Sequence, residues 1–91
     1  MGQSHFRNAE DLYNEAVKVN EMDSSSRLPS PNPEMRSPGI YAFDRLCNAE
    51  TNLEYAEQLG GVDKEAVKSL REKIDSLMPE VKRKRNEALE K

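Results

Sequence analysis

The chain has no tryptophan, one cysteine and one histidine among its 91 residues, with only two phenylalanines and three tyrosines. A lone cysteine, Cys47, excludes an internal disulfide and any metal site made of cysteines alone. The lone histidine, His5, has no second histidine three or four residues on. Neither a Glu-x-x-His nor a His-Glu-x-x-His helix can therefore form, and no metal ligand set is expected. Long hydrophobic runs are also missing, none approaching the roughly 20 apolar residues of a membrane span. The first residues lack a basic end followed by an apolar core, so no secretion signal is expected. Gly2 suits myristoylation, but Phe6 stands where that signal takes Ser or Thr. A cytoplasmic, reducing setting is the expectation. The four glycines, at 2, 39, 60 and 61, form no phosphate-binding loop, and the sequence holds no nucleophile elbow or Ser-His-Asp set.

Charge is plentiful and slightly acidic. Charged residues make up 34% of the chain and the net charge is −3, which argues against general nucleic-acid or membrane binding. The signs are segregated: residues 1–22 sum to −2, residues 40–61 to −3 and residues 62–91 to +2. Hydrophobic residues make up 35%, enough for a modest core in a single domain of this length.

Helical periodicity accounts for nearly all the apolar positions. Phe6, Ala9, Tyr13 and Ala16 step by three and four and predict a first helix over residues 4–22. Ala42, Leu46, Ala49, Leu53 and Ala56 do the same for a second helix over 38–59. Its start is marked by Ser37 as N-cap with Pro38 at the first helical position, its end by Gly60-Gly61. Val67, Leu70, Ile74, Leu77 and Val81 predict a third helix over 63–88, capped by Asp63 and kinked at Pro79. Val62 and Val67 match a hydrophobic staple at its start. Its last turns, residues 82–91, are polar enough to fray. The tight turn at Gly60-Gly61 makes helices two and three an antiparallel hairpin. The fold class is therefore all-α, a three-helix bundle with helix one packed across that hairpin.

Between helices one and two lies a proline- and serine-rich loop over residues 23–37. With Pro38 it holds four of the five prolines. Proline fixes φ and removes a donor, so extended, partly polyproline-like chain is expected here, with no helix. Leu28 and Met35 are its large apolar side chains and are expected to pin it to the bundle. A connection this long signals function or disorder.

Few residues carry candidate chemistry. Cys47 lies on the apolar side of helix two without a neighbouring base, and reads as a core cysteine. Glu50, Glu54 and Glu57 share one helix face and suit pairing with Lys64, Lys68 or Arg71. The run from Lys82 to Arg85 has no interleaved aromatics and complements a helix C-terminus. Ser30-Pro31 and Ser37-Pro38 have the form of proline-directed kinase sites. Asn8-Ala9-Glu10 with Ala16 echoes Asn48-Ala49-Glu50 with Ala56, a likeness too short to be a repeat.

The function expected from these residues is a non-catalytic interaction or regulatory module without cofactors, acting through helix faces and the proline-rich loop. Helix three is longer than helix one can cover, so self-association as a homo-oligomer is expected, with Leu77 and Val81 joining Leu28 and Met35 in contacting a partner or a second copy. The alternative is a binder of a small anionic ligand, held by Arg27, Arg36 and Arg45, whose planar guanidinium groups suit phosphate or carboxylate.

Overall fold

A computed structural model describes residues 2–23 and 25–90. Among them three α-helices form, α1 (Gly2–Asn20), α2 (Pro38–Leu59) and α3 (Lys64–Leu89), with a short 3₁₀ helix at Pro33–Arg36 and no strand. This is the expected all-α bundle. Its element bounds agree closely with the sequence periodicity.

The ends of the helices follow from local chemistry. Pro38 opens α2, where its fixed φ suits the first turn and its missing N–H is no loss. Ser37 is the N-cap, but its hydroxyl makes no capping bond, contrary to the usual role of serine there. At the other end, Gly60 and Gly61 take φ of 74° and 81°, a region closed to most side chains, and Gly60 N–H bonds to Ala56 O. Asp63 then caps α3 by accepting from Glu65 N–H at 3.2 Å. The helix continues through Pro79 to Leu89. Pro79 and Asp75, whose carbonyl it cannot pair with, are both exposed. Buried Ile74 and Val81 hold the helix on either side. The helix runs to Leu89, with Lys84, Arg85 and Ala88 half-buried in its last turns.

The three helices run up, down and up. Gly2 lies against Ala56 and Gly60, and Tyr41 donates to Glu15, so α1 is antiparallel to α2. Arg71 pairs with Glu57 while Arg85 stacks on Phe43, so α3 is also antiparallel to α2. Helix α1 packs along α2 and meets α3 only briefly, which corrects the expectation that it would lie across both. The result is a slab of 42 × 26 × 17 Å with α2 in the middle.

The seam between α1 and α2 is made of small residues. Gly2, Ala9 and Ala16 recur every seven positions, as do Ala42, Ala49 and Ala56. The five alanines are fully buried. The contacts of Gly2 with Ala56 and of Glu15 with Tyr41 fix a register that sets Ala9 level with Ala49 and Ala16 with Ala42. The short echo between Asn8-Ala9-Glu10 and Asn48-Ala49-Glu50 thus belongs to two helices that face each other, not to a repeat. A Cβ on Gly2 would stand 2.1 Å from Gly60 O, so only glycine permits this approach.

The stripe on α3 is consumed within the chain. Val67, Leu70, Ile74 and Val81 are buried, which removes most of the spare apolar face on which self-association rested.

Candidate functional site

A recess lies where the C-terminal ends of α1 and α3 meet the start of α2. The proline-rich segment supplies its remaining wall. The segment is ordered by its own hydrogen bonds. Leu28 N–H donates to Arg36 O at 2.8 Å, closing the segment on itself, and the Leu28 side chain packs on the core. Asn32 Oδ1 accepts from Glu34 N–H at 3.1 Å and caps the 3₁₀ helix, in which Pro33 takes the first position. Arg36 Nε donates to Ser30 O at 2.8 Å. The expectation of wholly extended chain is therefore corrected at 33–36: proline excludes the interior of a helix, not its first turn.

The cleft so enclosed has a volume of about 870 Å³. Val19, Met22, Pro38, Ile40 and Ala88 supply the apolar half of its lining, and polar groups with charges of both signs make up the rest, among them Arg27 and Lys84, Glu34, Glu87 and Glu90. Glu87 is already paired with Arg83 at 2.8 Å. The first turn of α2 faces the same space through Ser37, Pro38, Gly39 and Ile40. The N–H groups of Gly39 and Ile40 precede the first carbonyl a helix can offer them, and the Ser37 hydroxyl does not cap them.

Asn20 is the one buried polar residue among the described residues, at 7% exposure. It ends α1, lines the cleft, and ties α1 to α3. Its Nδ2 donates to Glu80 Oε2 at 2.7 Å, and its backbone carbonyl accepts from Lys84 Nζ at 2.6 Å. Its Oδ1 is buried and meets no donor. A buried carbonyl oxygen left in that state costs about 1–3 kcal/mol.

The residues singled out from sequence have different destinations. Of the three arginines, Arg27 alone lines the cleft. Arg36 is bound to Ser30 O, and Arg45 pairs with Asp44 at 2.8 Å while lying over the Tyr41 ring. Leu28 packs on the core as expected, Met35 is half-buried, and Leu77 lines a shallow groove with Tyr13, Lys73 and Ser76. Val81 is fully enclosed and presents nothing to a partner, a correction that follows from its place opposite α2. Three of the four cations from Lys82 to Arg85 are engaged within the chain: Arg83 with Glu87, Lys84 with Asn20, and Arg85 at 4.1 Å from the Phe43 ring. Glu57 pairs with Arg71, as the shared acidic face suggested.

Burial pushes the Cys47 thiol up, reinforced by Glu50 and Asp44 and opposed by Arg85 and Lys82. It is therefore a poor source of thiolate. His5 donates from Nδ1 to Asn52 Oδ1 at 3.1 Å and packs beside Tyr55. The bond to Glu15 raises the Tyr41 phenol, and hydrogen bonds from Ser25 lower the Asp23 carboxyl. Among the described residues no group of three His, Cys, Asp or Glu side chains is placed to hold a metal, and no helix is long and apolar enough to cross a membrane.

Sequence reasoning missed Asn20, Ile40 and Lys84. Asn20 was within reach: it continues the stripe Phe6, Ala9, Tyr13, Ala16 by one further step of four, a polar residue on the buried face. Lys84 occupies the corresponding place after Leu77 and Val81. Compared with family models, curated proteins and solved structures, the chain matches none.

Proposed function

We propose that the chain is a non-catalytic binding module whose site is this cleft and whose occupant is a segment of another polypeptide. The supporting observation is a recess of about 870 Å³ walled by four elements, with exposed Met22 in its lining. Leu89, next to the lining residue Ala88, is 61% exposed. A lining half apolar and half polar, with charges of both signs, suits a peptide segment better than a bare anion. A partner of different sequence is favoured over a second copy, because the stripe of α3 is already covered. No reaction is assigned, since the one thiol is held in its neutral form and the one imidazole is tied to Asn52. The single free cysteine supports a cytoplasmic setting, which fractionation of the native cell would test.

The test compares wild-type protein with Met22→Glu, a change at an exposed position that leaves the core intact. A partner recovered from the native cell is purified, and its contacts are mapped by amide chemical shifts. The reading expects shifts at Val19, Gly39, Ile40 and Ala88 and loss of binding in Met22→Glu. Shifts confined to other faces, or unchanged binding by the variant, would overturn it.

A further inference from the structure

We propose that Ser30 is a phosphorylation site for a proline-directed kinase, and that Arg36 holds the phosphate it gains. Ser30-Pro31 is one of two serine-proline pairs in the chain, and their surroundings differ. At Ser37 the following proline is buried in the first turn of α2, where a kinase that grips its substrate by that proline cannot reach it. At half-buried Ser30 the bond from Leu28 N–H to Arg36 O closes the base of a loop. Pro29, Pro31, Asn32, Pro33 and Glu34 stand exposed on that loop, and residues 26–30 form neither helix nor turn. Outward, irregular chain of this kind can adapt to a kinase groove. The Ser30 hydroxyl accepts from Asn32 N–H at 3.2 Å and donates to nothing among the described residues, so its proton is free to leave.

The chemistry is phosphoryl transfer from a nucleoside triphosphate bound by the kinase. Ser30 Oγ forms a bond to the γ-phosphorus, the bond from that phosphorus to the β–γ bridging oxygen breaks, and the nucleoside diphosphate leaves. The hydroxyl proton passes to the kinase's catalytic carboxylate. The product carries about −1.5 to −2 charge at neutral pH. Its counter-charge is already in place. Arg36 Nε donates to Ser30 O at 2.8 Å, which lays the guanidinium against the same residue. Arg36 forms no ion pair among the described residues, so its terminal N–H groups are committed to no carboxylate there. A planar fork at this position suits phosphate oxygens, whose hydrogen bonds are charge-assisted. Glu34 is the opposing charge on the loop, and it lines the cleft. A phosphate bound by Arg36 ties residue 30 to residue 36 a second time, and so holds the segment that walls the cleft.

The whole chain is treated with a purified proline-directed kinase and adenosine triphosphate, and the product is mapped by mass spectrometry. Phosphate should appear on Ser30 and not on Ser37, and Ser30→Ala should take up none. Protein isolated from its native cell should carry the same mark. In the phosphorylated chain, exchange of the Leu28 amide should slow by about three- to tenfold. The comparison variant is Arg36→Gln, an exposed position where glutamine keeps a donor for Ser30 O and loses the charge. In this variant phosphorylation should leave Leu28 exchange unchanged. The second ionisation of the phosphate, followed by its phosphorus resonance, should fall at lower pH in the wild type than in Arg36→Gln. Phosphate on Ser37 or on neither serine, or an unmarked Ser30 in the native cell, overturns the site. Equal ionisation in the two proteins, or equal Leu28 exchange, overturns the role of Arg36. Nothing in these outcomes depends on what occupies the cleft, so the site and the binding-module reading fail separately.

Discussion

Along the seam between α1 and α2 the fully enclosed side chains of α1 are the alanines Ala9 and Ala16, whereas the core that α2 shares with α3 holds Leu46, Leu53, Ile74 and Val81. Of the larger apolar residues of α1, Val19 is buried near its end, while Phe6, Leu12 and Tyr13 reach only half-burial. One seam thus gains its stability from the close approach of two backbones, and the other from the volume of its side chains. Dispersion falls steeply with separation, so alanine pairs at short range contribute collectively what leucine contributes by area. The two should fail in opposite ways, the first to added atoms and the second to removed ones.

The largest effect is expected from Ile74→Ala, which leaves a cavity between α2 and α3 and should cost about 2–5 kcal/mol in urea unfolding. Next comes Ala49→Leu, which forces side-chain atoms into the α1–α2 seam and should cost about 1–3 kcal/mol. If Ala49→Leu were instead neutral, the close-packed account of that seam would be wrong. Gly39→Ala sharpens the contrast at a third place. An exposed glycine in a helix normally gains up to about 1 kcal/mol on becoming alanine. Here the new Cβ would stand 2.7 Å from Lys84 O, so the substitution should lower Tm. The caps separate next: Asp63→Ala should cost about 1 kcal/mol. Ser37→Ala should stay within about 0.5 kcal/mol, because its hydroxyl makes no capping bond.

The smallest effect concerns pH. The Tyr41 phenol is raised by its bond to Glu15, across the α1–α2 seam. A raised phenol contributes its full stability below its ordinary value of about 10 and loses it as pH climbs through the folded value. Alkaline unfolding should therefore weaken the wild type more than Tyr41→Phe, and the two stability curves should converge above that pH. Parallel curves to the end of the titration would remove Tyr41 from the seam.

The fold was legible because its signals are local. Stripes at three and four, Pro38 at a first turn, glycine pairs and an Asp63 cap are each decided within a few residues. Which helix α1 prefers was not, since Ala9 and Ala16 look like weak core positions until Ala42, Ala49 and Ala56 are set level with them. The cleft was less legible still. Its wall joins Asn20, Gly39 and Lys84 from three separate stretches, and only the antiparallel register makes them neighbours. Arg36 and Arg45 drew attention by type alone, and nearer partners in Ser30 and Asp44 claim them.

The segment from 21 to 37 also sets a concentration. Helix α1 is, in effect, a ligand tethered to the α2–α3 hairpin by a short connection, and such a tether holds its ligand at an effective concentration on the order of millimolar or more. The α1–α2 seam therefore needs only modest intrinsic affinity to stay closed. Cutting the chain at Pro29 would turn that internal contact into a bimolecular one. Added back at micromolar concentration, the α1 peptide should leave most hairpins uncovered, and the cleft, which borrows Val19 and Asn20 from α1, should go with it.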